Sequence, residues 1–211
     1  MTLPRVETGP LQEALIQGIG KARKRGRKTV VSVVAPIDCP DPVAVAFASR
    51  RADDDWFCWE RGDAGTAFGA VGSAEAVISR GPGRFREVAS ECAHLSGEAV
   101  LIDPEGISPR SGPRWCGGFA FSDQGGSTAI WSPFLPARMI LPDLQIEAGP
   151  DSAILTVNLV VTAASDPEEL AAAAIGRVGG LHQVELPLLD PHPCVRPEIA
   201  SAHSPDRFEA A

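Results

Sequence analysis

The residues of this chain that could do chemistry are four histidines, five cysteines and a few acidic and glycine clusters. His94, His182, His192 and His203 form no short-spaced pair, and His182, Asp190, His192 and Cys194 are strung between prolines. Zinc sites use tighter pair spacing, so this stretch reads as a loop without metal. Gly18-Ile19-Gly20-Lys21 has the look of a phosphate loop. That motif needs a glycine five residues before its Gly-Lys and a hydroxyl after the lysine; Leu15 and Ala22 stand there instead. Gly69-Ala70-Val71-Gly72 and Gly81-Pro82-Gly83 are fragments of a dinucleotide pattern, without its third glycine or its strand–turn–helix setting, and read as turns. No Gly-x-Ser-x-Gly elbow is present, and no cysteine has a nucleophile's local sequence. Asp53-Asp54-Asp55 is expected to be a solvated turn, and Trp56, Trp59, Trp115 and Trp131 are expected in the core. The residues alone yield no catalytic, cofactor-binding or metal-binding position.

The elements around these residues follow from periodicity and turn chemistry. Leu11, Ala14, Leu15, Gly18 and Ile19 fall on one helical face, so a first helix is expected after Pro10. The basic run from Lys21 to Lys28 suits its C-terminus, with Gly26 as the stop. Thr29–Val34 and Val43–Ala48 are expected as strands, with Pro36, Pro40 and Pro42 between them. A hairpin is expected from Trp56–Arg61 and Thr66–Gly72 around Gly62-Asp63-Ala64-Gly65. Phe85, Val88, Ala89 and Cys92 mark an amphipathic helix. Strands follow at Trp115–Phe121, Ile130-Trp131, Ala137–Leu141, Leu144–Ile146 and Ala153–Val161. Asp166-Pro167-Glu168-Glu169 opens a helix in the standard way: an N-cap acid, proline at the first position, acids in the first turn. A proline-rich connector, residues 186–203, then separates residues 1–185 from a second capped helix start at Ser204-Pro205-Asp206, residues 204–211.

Composition bounds the classes. The chain has 211 residues, 44% hydrophobic and 22% charged, near the globular average, which excludes wholesale disorder. No apolar run reaches the roughly 18 residues that span a bilayer. A net charge of −8 excludes a general binder of nucleic acid or anionic membrane. The odd cysteine count and the absence of a charged-then-apolar leader lead to the expectation of free thiols in the cytoplasm.

Three stretches, taken in order, carry a resemblance. They are Trp56-Phe57-Cys58-Trp59-Glu60 with Ala67-Phe68-Gly69-Ala70, then Gly117-Gly118-Phe119-Ala120-Phe121, then Trp131-Ser132-Pro133-Phe134-Leu135-Pro136-Ala137-Arg138-Met139-Ile140-Leu141-Pro142. The set resembles the N-terminal half of isochorismate synthases, members of the chorismate-utilising enzyme family, and runs from about Leu11 to Ala211. The resemblance implies an α+β fold: a largely antiparallel sheet with helices packed on one side, one half of the family's fold. Gly117 and Gly118 would sit at a bulge or close approach, and Trp59 and Trp131 would fill the core. It also implies a Mg²⁺-dependent conversion of chorismate to isochorismate, with a lysine as base toward water and a glutamate as acid toward the leaving hydroxyl. Those residues lie in the family's C-terminal half, so no catalytic, metal or substrate position carries over, and this chain alone is expected to be inactive. An exposed apolar face, a route to self-association, is expected where that half packs. Where anthranilate synthases carry a Leu-Leu-Glu-Ser-like segment, this chain reads Phe57-Cys58-Trp59-Glu60-Arg61, which favours isochorismate synthase; a salicylate or anthranilate synthase-like relative is the neighbouring alternative. The alternative of another class is a stand-alone, non-catalytic interaction or regulatory module with a polar surface all round.

Overall fold

In a computed structural model the described residues are 6–39, 41–103, 112–125 and 129–184. The connector 186–203 and the helix start at 204–211, with His192, Cys194 and His203, lie outside them.

Helix α1 (Thr8–Arg25) buries Leu11, Ala14, Leu15, Gly18, Ile19 and Ala22, and stops where Gly26 turns left-handed at φ 66° and donates its N–H to the Ala22 carbonyl. Three basic residues in its last turn face the negative end of its dipole. Strand β1 (Thr29–Ile37) runs past the expected break at Pro36. Its parallel neighbour β5 (Val100–Ile102) pairs only with Val31–Val33, so Pro36 lies where β1 has an open edge and no second ladder loses a donor.

Residues 43–48, expected as a strand, form helix α2 (Pro42–Ser49). Asp41 is its N-cap, its carboxylate accepting from Ala44 N at 2.8 Å, and Pro42 opens the first turn. This is the same Asp-Pro start that opens α4 (Pro167–Gly179), where Asp166 accepts from Glu168 N and Glu169 N. Capping outweighed the strand propensity of two valines. Helix α2 lies so close to strand β3 (Thr66–Val71) that a Cβ on Gly69 would sit 2.2 Å from the Pro42 carbonyl oxygen.

Strand β2 (Trp56–Arg61) and β3 form the expected hairpin, closed by a 3-10 turn at Gly62–Ala64. Two short strands were not foreseen: β4 (Glu75–Ser79) and β5. Helix α3 (Arg84–Gly97) follows the first of these. Then come β6 (Cys116–Phe119), β7 (Ala137–Leu141), β8 (Leu144–Ala148) and β9 (Ala153–Val161). Ile130 and Trp131, expected as a strand, lie in a turn instead, held by Phe134 N to Trp131 O at 2.9 Å and Ser132 Oγ to Ala129 O at 3.0 Å.

The architecture is α+β. A six-stranded sheet, order β2-β3-β8-β9-β1-β5, is antiparallel except for β1/β5, and a three-stranded antiparallel sheet is ordered β4-β7-β6. Helices α1, α2 and α4 supply Leu15, Val45 and Ala174 to the main core, against Val31, Ile146, Leu155 and Val157 of the large sheet. On the other side, Val88 and Leu95 of α3 pack with Val77, Ala137 and Leu141 of the small sheet and with Val30 and Val160 of the large one. The two sheets are also one ribbon: β3 and β8 continue directly into β4 and β7, crossing at Gly72–Ala74 and Pro142-Asp143. There Gly72 adopts φ 79°, and any side chain would collide with Asp143.

Candidate functional site

Strand β2 is an edge strand, and its aromatic residues are not in the core. Trp56, Phe57 and Trp59 are 51%, 40% and 50% exposed. Trp131 is also exposed and Trp115 half-buried, so the expectation of four core tryptophans is corrected. The reason is topological. Among the described residues nothing pairs with the outer side of β2, and the rings gather locally: Phe47 meets Trp56 edge-on at 5.9 Å, and Phe57 tilts against Phe68 at 6.1 Å.

The small sheet presents a second open edge, β6. Gly117 makes the close approach expected of it, whereas a Cβ on Gly118 would meet nothing within 4 Å. A Cβ on Gly117 would lie 2.0 Å from the Arg138 carbonyl oxygen, so β6 and β7 approach there as only glycine allows. Beside them Phe119 stacks on Phe85 at 4.7 Å, and Trp131 leans on Phe134 at 5.6 Å, all four rings exposed. Phe119, Trp131 and Phe134 line a mainly apolar groove of about 760 Å³, together with Gly117, Gly118 and Ile140. Through a narrow waist of about 80 Å³ beneath Trp56, Phe57 and Cys116, the groove adjoins a hollow of about 640 Å³ under Phe57, Trp59, Phe68 and Trp115. The β2 and β6 edges therefore carry clustered exposed aromatic rings rather than single scattered ones.

Charges are fixed at their margins. Asp55 and Arg138 form a bidentate pair, both contacts 2.7 Å, and the carboxylate holds the guanidinium's proton more tightly than usual. Arg114 meets Glu147 at 2.8 Å across the second hollow. Asp54 accepts from Arg177 of α4, and Asp143 lies at ion-pair distance, 3.7 Å, from Arg177 Nε, too far for a hydrogen bond. Burial raises the Asp143 carboxyl's pKa, with Arg177 pulling it the other way. Asp53 is exposed in a turn as expected, but Asp54 and Asp55 are not simply solvated: they anchor the triplet to α4 and to β7. The pairing arginines are 123 and 83 residues away in sequence, so no local pattern marked Arg177 or Arg138.

The remaining candidates stay apart. Gly18 is buried in the middle of α1 against Val31, so Gly18–Lys21 is helix and not a loop. Gly81 is a turn glycine at φ 78° before α3. His94 is in the last turn of α3, and the His182 ring contacts the Gly180 carbonyl. Burial pushes the Cys39 and Cys58 thiols up, and Cys92 and Cys116 to about 11, so these thiols stay protonated near neutrality. Among the described residues no group of three or more His, Cys, Asp or Glu could hold a metal ion, and no helix is long and apolar enough to cross a membrane. Among the described residues the Mg²⁺ implied by the resemblance has no fitting donor set: Asp54 and Asp143 face Arg177, and Asp55 faces Arg138.

Comparison with known proteins gives three findings. No curated protein matches the chain. The solved structure of the menaquinone-specific isochorismate synthase from Escherichia coli is similar over 82% of this chain and 35% of that one, at 14% identity and a TM-score of 0.45. The chain thus spans about a third of that protein's length. The family of chorismate binding enzymes matches residues 15–209, nearly the whole chain, and this protein belongs to that family.

Proposed function

We propose that this chain is the N-terminal, non-catalytic portion of an isochorismate synthase, a Mg²⁺-dependent enzyme converting chorismate to isochorismate in the cytoplasm. The reaction chemistry would reside in a C-terminal half that supplies the lysine base, the glutamate acid and the Mg²⁺ ligands. Family membership over residues 15–209 supports the reading. The observation that carries it is the set of exposed aromatic rings along the β2 edge and around the groove beside β6. Chorismate would meet this chain only with that half in place, and the exposed groove would favour self-association of the isolated chain.

A stand-alone regulatory module would be expected to have a polar surface all round; Trp56, Trp59, Phe119, Trp131 and Phe134 weigh against it. The coding sequence beyond codon 211 tests the reading. A frame that continues into a helix and a lysine-bearing strand supports it; a native stop codon with no partner gene overturns it in favour of the module.

A further inference from the structure

The ribbon that joins the two sheets has a pivot and a fastener. The pivot is the pair of crossings at Gly72–Ala74 and Pro142-Asp143, where Gly72 is left-handed and Ala74 N bonds to Leu141 O at 2.8 Å. One face of the small sheet is fixed in an apolar core, through Val77, Ala137 and Leu141. Its other face carries Arg138 and Ile140 and looks onto the groove. On that side Arg138 reaches across to Asp55, the residue that leads into β2. Asp55 also accepts from Gly72 N through its backbone carbonyl, at 2.8 Å, so one residue touches both pivot and fastener. The Arg114–Glu147 pair supports the far end of the groove but does not cross the waist.

We infer that the Asp55–Arg138 pair is an ionic latch that fixes the angle between the two sheets and so closes the waist of the groove over Cys116. The pair is bidentate and joins the two sheets beside the waist, where Asp55 is lined up with apolar side chains and glycine. Its side chains are 38% and 33% exposed, so dissolved salt reaches and weakens it. With the latch open, the groove widens without loss of the core on the opposite face. The inference does not depend on the functional proposal.

Cys116 reports the state of the waist and Cys39, buried in the main core, reports global unfolding. The experiment labels the full chain with N-ethylmaleimide and follows each cysteine-bearing peptide by mass spectrometry. Arg138→Gln is expected to raise the Cys116 labelling rate about fivefold with Cys39 unchanged, a shift of the size that a half-exposed ion pair supplies. Raising sodium chloride to about 1 M is expected to do the same to the unaltered protein, where the Debye length falls to about 3 Å. The exchange Asp55→Arg with Arg138→Asp is expected to restore slow labelling. An unchanged Cys116 rate in both Arg138→Gln and high salt overturns the latch. So does a parallel rise at Cys116 and Cys39, which marks general destabilisation.

Discussion

Replacing Arg177 by methionine removes the cation that α4 contributes to Asp54 and Asp143. The side chains of Arg177 and Asp54 are only 10% and 14% exposed, so the loss strands a carboxylate in a poorly hydrated place. Breaking such a pair costs about 3–5 kcal/mol. Asp143 is 35% exposed and regains some hydration, which sets the expectation at the lower end, about 3 kcal/mol. With a urea slope of about 2 kcal/mol per molar, the unfolding midpoint should fall by about 1.5 M. Urea titration followed by far-UV circular dichroism measures it. Adding Asp54→Asn to Arg177→Met should then cost less than Asp54→Asn does alone, because its partner is already gone. A midpoint shift under about 0.3 M, or strictly additive losses, would refute the assignment of this cluster as a buried structural pair.

Other outcomes follow from the same geometry. Gly69→Ala should destabilise by about 1–3 kcal/mol in urea titration, since its methyl group would meet the Pro42 carbonyl and push α2 off the sheet. Burial gives folded Asp143 a raised pKa, so its contribution is present below the ordinary carboxylate range and is lost as pH rises through the folded value. Asp143→Asn should therefore flatten the decline in urea midpoint as pH rises above the ordinary carboxylate pKa of about 3.9, relative to the unaltered chain. Trp131→Ser should change stability by less than about 1 kcal/mol, whereas Leu15→Ala should cost about 2–5 kcal/mol. A large loss at Trp131 in thermal unfolding would contradict its placement at an open groove.

Much of the fold was legible because single residues with strong local chemistry set the elements. Gly26 ended α1, Asp166 and Pro167 opened α4, and the alternation of β9 put Leu155, Val157 and Val161 on the face toward the helices. The errors came where two local tendencies competed. Asp41-Pro42 carried the same start grammar as Asp166-Pro167, but Val43 and Val45 read as a strand. The tryptophans were misplaced because a hydrophobic residue at a strand position does not say whether its strand is central or an edge. That depends on sheet order, and β2 ends the sheet. Arg138 and Arg177 were missed for a related reason, since their partners are remote in sequence and meet only after both sheets and α4 are in place. The groove itself was anticipated only as an apolar face, through the family resemblance. Its position beside β6 and β7 required the topology.

The most direct test of the central claim is chorismate turnover by the purified 211-residue chain in the presence of Mg²⁺, with isochorismate resolved by chromatography. The account predicts no turnover above the uncatalysed background at any enzyme concentration. Magnesium-dependent formation of isochorismate that scales with this chain would contradict it, because the chemistry would then have to reside within these residues.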